Sequence, residues 1–268
     1  MDQDYRNLHP DQIELIEKQT LRMIVQALQE YSGEARGIFE STAAPSDNEV
    51  IVLAEDLVQY ALEVAECYPI NKRFAGFIDY KRVRWMPTPY GLFPQVLLVD
   101  AKASTENNRE TLQQSQLPMD AEFISNGQPR RLPAGIPPHL EIESATGGRL
   151  YGLTTTAFIH YYYEKLPPGG PRYRRLRSIF AIMIPHQLLK PQYNPTPDRT
   201  FFGQGKHSPA RGEVPRIRVY FARLRSMCPW RLQELKFSED AQFSSPRWRD
   251  VDPASGRETA AEFQFLAR

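Results

Sequence analysis

The sequence predicts an α/β (α+β) fold, a mixed central β-sheet flanked by helices. Two helical periodicities occupy the first 70 residues, and the later apolar segments are β-branched and aromatic runs bounded by Pro- and Gly-rich turns. At 268 residues the chain sits at the upper end of what one domain holds. One elaborated domain over 1–268 is therefore expected, with a helical part over 1–70, a hairpin and its following helix over 71–125, and further strands over 150–268. An aromatic content of 11% argues against disorder.

Residues from about 11 to 31 place Ile13, Ile16, Leu21, Ile24 and Leu28 on one helical face, with Glu17, Lys18, Gln26 and Gln29 elsewhere. A second helix, from about Val50 to Tyr68, carries Leu53, Leu57, Ala61, Val64 and Ala65 and is ended by Pro69. Two apolar runs follow, one containing Asp79 and the other, Val96 to Val99, closed by Asp100-Ala101-Lys102. Between them, Pro87-Thr88-Pro89-Tyr90-Gly91 has a turn composition, and Asp79 and Asp100 are equidistant from the Pro89–Tyr90 step. Ser104 or Thr105 then caps a polar helix to about Gln116, stopped by Pro118. The Pro-, Gly- and polar-rich stretch from Asn126 to Gly148 reads as a long loop. Thr154–Tyr163 and Arg177–Ile184 read as strands with a turn at Pro167 to Pro171, and Pro191–Pro209 as loop. Arg216–Phe221 alternates basic with apolar residues as a half-buried strand does, and Phe263–Leu266 adds a last strand.

The hairpin concentrates the chemistry. Period-two alternation puts Asp100 and Lys102 on one face and turns Ala101 away, leaving its carbonyl as a candidate ligand. A fold at Pro89–Tyr90 sets Asp79 opposite Asp100, which is destabilising unless a cation lies between the carboxylates. Magnesium suits a few hard oxygens with room for water and substrate phosphate, so Asp79, Asp100 and Ala101 are its candidate ligands. Lys102 beside them is placed to orient or deprotonate an attacking water and to stabilise charge on a pentavalent phosphate. The chemistry indicated is phosphodiester hydrolysis. The competing reading is a strand that ends in a surface charge pair.

This pattern resembles the PD-(D/E)xK nuclease superfamily, in which an Asp on one strand precedes acid-x-Lys on the next; Ile78 stands here where a proline usually precedes the first acid. Tyr68-Pro69-Ile70-Asn71, the run Phe74 to Arg82, Asp100 to Thr105 and Lys206 to Glu213 are similar to the SfiI-type restriction endonucleases, and the likeness extends from the first helix to the C-terminus. The resemblance implies a PD-(D/E)xK core and a magnesium-dependent type II restriction endonuclease. Its expected target is double-stranded DNA at an interrupted G·C-rich palindrome, GGCC-N5-GGCC, cut to leave 3′ overhangs. It also implies a homotetramer acting on two sites, with a dimer as the alternative. Superfamily members often add an acid from a helix preceding the first catalytic strand, to hold a metal-bound water; Glu55, Glu63 and Glu66 lie on that helix, and Glu55 is the candidate.

Charge distribution supports a nucleic-acid partner more than net charge does. Residues 1–70 hold 14 Asp or Glu against 4 Lys or Arg, whereas residues 201–231 hold 7 Lys or Arg against the single acid Glu213. A basic segment within a neutral protein supplies a phosphate-facing surface. Arg216 and Arg218 share a strand face, and guanidinium forks read guanine O6 and N7. Ser104, Asn108 and Arg109 follow Lys102 directly and carry donors for base edges. The loop Gly203 to Ser208 offers backbone amides and Lys206 to phosphate, although it is not a P-loop. The run Arg172, Arg174, Arg175, Arg177 reads as a solvated face.

No apolar run approaches the roughly 18 residues of a membrane span, and the N-terminus is acidic rather than signal-like, so no membrane partner and a cytoplasmic protein are expected. Cys67 and Cys228 lack neighbours at metal-ligand spacing and are expected to be buried thiols. Neither a Gly-x-Ser-x-Gly elbow, a His-Glu-x-x-His helix nor a dinucleotide fingerprint occurs. Two rivals stand beside the restriction enzyme: a PD-(D/E)xK nuclease of repair that cuts by DNA structure, and a non-catalytic DNA-binding protein.

Overall fold

The computed structural model describes residues 8–43, 46–63, 68–69, 80–88, 91–105, 111–143, 148–205, 216–238 and 247–262. In chain order the elements are α1 (Pro10–Glu30), α2 (Ser32–Ser41), α3 (Asp47–Glu63), β1 (Tyr68–Pro69), β2 (Tyr80–Thr88), β3 (Gly91–Ser104), β4 (Thr111–Gln113), β5 (Ala121–Ser125), β6 (Gln128–Leu132), β7 (His139–Glu143), β8 (Arg149–Lys165), β9 (Arg174–Ile184), α4 (Lys190–Tyr193), β10 (Phe202–Gln204), β11 (Arg216–Val219), α5 (Phe221–Met227), β12 (Leu232–Lys236), β13 (Arg247–Val251) and β14 (Glu258–Glu262).

The expected mixed sheet flanked by helices is present. Its strand order is β1-β2-β3-β8-β9-β12, with β7 also on β8; β3 and β8 run parallel and the other pairs antiparallel. Thr88 pairs with Gly91 and Tyr80 with Val99, so the hairpin is symmetric about the Pro89–Tyr90 step as the spacing predicts. Alternation along β3 sorts its side chains. Leu97, Val99 and Ala101 pack in the main core with the buried residues of α1, α2 and α3, whereas Val96 and Leu98 meet Ile136 and Leu140 on the other face.

α1 buries the five apolar residues that its periodicity selects. A capping box starts it: the His9 ring accepts from the Asp11 amide, and the Gln12 side chain accepts from the His9 amide. The second helix begins earlier than expected, at Asp47, and Tyr68–Pro69 pair with β2 instead of extending it, because a residue before proline is held extended.

The polar helix expected up to Gln116 is absent from the described residues. β3 continues through Ser104, and Thr111–Gln113 form β4, because pairing with β11 overrides a weak local helical preference. The stretch expected as loop from Asn126 contains the turn and second strand of the β5–β6 hairpin, and β7. The Asn126–Gly127 turn has both residues at positive φ, 51° and 73°, the requirement of a two-residue hairpin loop. The Pro191–Pro209 stretch holds part of α4 and all of β10, and the strand from Arg216 gives way to α5 at Phe221. The final strand expected at Phe263–Leu266, and Cys67, lie outside the described residues; Cys228 is a buried free thiol as expected.

Two buried arginines clamp the helices to the sheet. Arg231 is fully buried, with Nη1 2.8 Å from Glu17 Oε2 and Nη2 3.3 Å from Glu14 Oε1, and its guanidinium lies 4.4 Å from the Tyr193 and Trp230 ring centres. Glu17, expected off the apolar face, is fully buried and also accepts the His186 amide at 2.8 Å. Burial pushes the Glu17 carboxyl up to about 7, against the opposing pull of Arg231. Arg174, expected in a solvated face, is buried and donates to the Phe39 and Thr42 carbonyls, while Glu40 accepts from Arg36, Arg172 and the Leu176 amide.

Arg231→Met is expected to leave Glu17 buried without its cation and to cost about 3–5 kcal/mol in urea unfolding, whereas Glu17→Leu with Arg231→Met together costs far less. Equal losses in the single and double variants would contradict the pairing. A second expectation concerns pH. His186 is held neutral by burial, which lowers its pKa to about 4 against the opposing pull of the Pro138 carbonyl 2.8 Å from Nε2, and Nδ1 accepts from the Leu188 amide. The unfolded chain takes up this proton first, below about 6.5, so stability is present above that pH and lost as pH falls toward about 4. From pH 7 to 5, the parent chain should lose about 2 kcal/mol more than His186→Asn, which retains a capping side chain. Parallel pH profiles for the two proteins would rule this out.

Candidate active site

Strand alternation delivers Asp100 and Lys102 to one face of β3, with Nζ 2.6 Å from Asp100 Oδ2. Asp100 is 2% exposed, while the Lys102 side chain keeps 30% of its surface open. The pair therefore joins a desolvated carboxylate to an ammonium that solvent reaches. Ala101 is buried between them, its side chain in the core shared with the helices. The other carboxylate oxygen, Oδ1, accepts from Gln116 Nε2 at 2.6 Å. On β8, Phe158 pairs with Asp100 and His160 with Lys102. His160 Nε2 lies 2.8 Å from Ser104 Oγ, and its ring stacks against Phe180 at 6.2 Å.

These donors fit magnesium. A carboxylate oxygen has two lone pairs and can accept more than one donor or cation, the hard-oxygen chemistry that magnesium takes. Hard oxygen in a small donor set suits a cation that keeps several waters. Among the described residues no three His, Cys, Asp or Glu side chains gather as a closed site. Asp79 lies outside the described residues; the ladder is described up to Tyr80–Val99. Glu55 sits half-buried on α3, which packs on the Leu97–Val99–Ala101 face, across the sheet from the Asp100 carboxylate.

The basic strand belongs to a separate three-stranded sheet, β10-β11-β4. Arg216 is exposed, Ile217 buried, Arg218 half-buried and Val219 buried, the alternation its sequence predicts. Arg218 pairs with Gly203 and Arg216 with Gln113. The glycines read as a phosphate grip have another use. Gly205 donates its amide to the Arg216 carbonyl at 3.3 Å, and a Cβ on Gly203 would lie 2.3 Å from Tyr220 Cε2. That close approach seats the Tyr220 ring, whose centre is 5.6 Å from the Arg218 guanidinium and 4.4 Å from that of Arg223. Asn108, Arg109 and Lys206 lie outside the described residues. Gln116, His160 and Arg223 are site neighbours that sequence reasoning passes over; no spacing rule singles out one glutamine in a polar run.

A family model described as Type II restriction enzyme SfiI matches residues 39–235. The Type II restriction enzyme SfiI of Streptomyces fimbriatus is 64% identical over 270 residues, covering 100% of both chains. Among solved structures, tetrameric restriction endonuclease SfiI bound to cognate DNA is similar with a TM-score of 0.90 and 63% identity, covering 100% of each chain. The restriction endonuclease BglI bound to its DNA recognition sequence is similar with a TM-score of 0.64 and 16% identity, covering 84% of this chain and 90% of that one. The second likeness shows the fold alone.

Gly203→Ala is expected to displace the Tyr220 ring and, with it, Arg218. It should cost about 1–3 kcal/mol in thermal unfolding and weaken DNA retention in a gel shift. A variant that melts and binds as the parent does would remove the close approach as a requirement.

Proposed function

The chain belongs to the family of the type II restriction enzyme SfiI, site-specific endonucleases, and from that premise we propose a magnesium-dependent enzyme that cuts double-stranded DNA at GGCC-N5-GGCC and leaves 3′ overhangs. The observation that carries the chemistry is the Asp100–Lys102 contact of 2.6 Å on the second strand of the hairpin.

Asp79, Asp100 and the Ala101 carbonyl would hold the metal. Magnesium, when bound, supplies Lewis acidity and offsets charge on the phosphate oxygens. The chain's own contribution is positional. Asp100, held by Lys102 and Gln116, is fixed in plane. The solvent-reached Lys102 ammonium orients water for in-line attack and balances the charge that grows on phosphorus. Arg216 and Arg218 are the leading base readers, with Ser104, Asn108 and Arg109 near the scissile phosphate and Lys206 on the backbone. A symmetric site calls for a symmetric protein. Since the SfiI relative is tetrameric on cognate DNA, a homotetramer on two sites is the assembly proposed, with a dimer as the alternative. The enzyme would act in the cytoplasm. Among the described residues no helix is long and apolar enough to cross a membrane.

The test is a plasmid digest with fragment-end mapping. Magnesium should give discrete fragments with 3′ overhangs, EDTA should abolish them, and Asp100→Asn and Lys102→Ala should each lose at least about 100-fold in cleavage while retaining fold and DNA binding. Random nicking would point to a structure-directed nuclease. Cleavage that persists in EDTA, or in both variants, would overturn the assignment of the site.

A further inference from the structure

The strand carrying Arg216 and Arg218 is joined through backbone pairing to the segment that ends on the Asp100 carboxylate. On β4, Thr111 pairs with Arg218 and Gln113 with Arg216. A single 3-10 turn, Gln114–Gln116, follows at once, and Gln116 Nε2 donates to Asp100 Oδ1 at 2.6 Å. Just beyond, the chain is pinned. Leu117 and Met119 are fully buried, and the Leu117 carbonyl accepts the Gly135 and Ile136 amides at 3.0 Å each. The Asp120 amide donates to Gln187 Oε1, and the Asp120 carboxylate accepts from Arg131 and from the Ala134 amide. Gln116 thus stands between a fixed anchor and a strand paired to β11.

The chemistry of the contact makes it more than packing. A carboxylate only accepts, so the Gln116 carboxamide must present its nitrogen, and its orientation is fixed. With Lys102 on Oδ2 and Gln116 on Oδ1, two donors set the plane of the Asp100 carboxylate. Gln116 is 1% exposed, so water cannot replace it in that role. A displacement of about 1 Å at a reacting group costs about 100-fold in rate. The link from β4 to Gln116 is one helical turn long, too short to absorb a shift of the strand without moving the side chain.

We propose that Gln116 is a positioning residue that couples base reading to cleavage: where the β10-β11-β4 sheet seats correctly on DNA, Gln116 holds Asp100 in the cleaving orientation, and where it seats badly, Gln116 turns the carboxylate away. This rests on the endonuclease reading above. It places part of the enzyme's discrimination in the chemical step, in addition to affinity.

The full-length protein is bound in EDTA to a duplex carrying the mapped site, or to one with a single base pair changed; magnesium then starts a single turnover. The parent should cleave the bound altered duplex more slowly than the bound site. Gln116→Met, which keeps the volume and removes the donor, should bind both duplexes in EDTA within about threefold of the parent. Its cleavage of the site should fall by about 10–100-fold. The ratio of the two cleavage rates should collapse toward one. An unchanged rate, or an equal fall on both duplexes that preserves the ratio, would overturn the proposal, the latter leaving Gln116 a mere prop for Asp100. Amide hydrogen exchange of the parent in EDTA provides a metal-free readout independent of the variant. Residues 111–118 should be protected by the site duplex and less so by the altered one, and equal protection would also overturn the coupling. A parent that cuts no plasmid defeats the endonuclease reading itself, whereas a cutting parent matched by Gln116→Met defeats this inference alone.

Discussion

The parallel ladder between β3 and β8 is the constraint on which the rest of the molecule depends. It fixes β3 with neighbours on both edges, β2 and β8, so the strand cannot slip by one residue without exchanging its two faces. One face then has to be apolar enough to receive α3, and Leu97, Val99 and Ala101 meet that need. The other begins apolar, at Val96 and Leu98, and turns ionic at Asp100 and Lys102 as it reaches the sheet's end. An active site of this kind is a continuation of the core's register, and its precision derives from the core.

The charged residues removed from water divide into two kinds. Arg231 and Arg174 are met on several sides by carboxylates, carbonyls and rings, an arrangement that holds elements in place. Asp100 is as deeply buried, yet one of its partners reaches solvent. That difference in access separates a clamp from a reactive group, and neither the identity nor the burial of the residue alone distinguishes them.

The hairpin was legible because two independent local signals agree on it: turn residues at Pro87 to Gly91 and period-two alternation on both sides. The Arg216–Val219 alternation was legible for the same reason. What could not be read locally was decided by partners far away in the chain. Thr111–Gln113 became a strand because β11 offers a ladder, and Glu17 became a core residue because Arg231 arrives beside it. The β5–β6 hairpin is a different case, since its Asn-Gly step is a strong short-range signal hidden inside a Pro-rich stretch. Gln116 had no signal of any kind; its contact with Asp100 exists only where the turn after β4 meets β3.

The clamp at Arg231 has a consequence in time as well as in energy. Its partners Glu14 and Glu17 belong to the first helix made, whereas Arg231 is synthesised near the end of the chain. Loop-closure entropy has to be overcome before such a distant contact contributes anything, and topologies rich in distant contacts fold slowly. During synthesis, at roughly 5–20 residues per second, α1 therefore carries uncompensated carboxylates that hold it at the water interface until the last strands of the sheet emerge. A chain interrupted before residue 231 lacks the cation that faces Glu17 in the finished core.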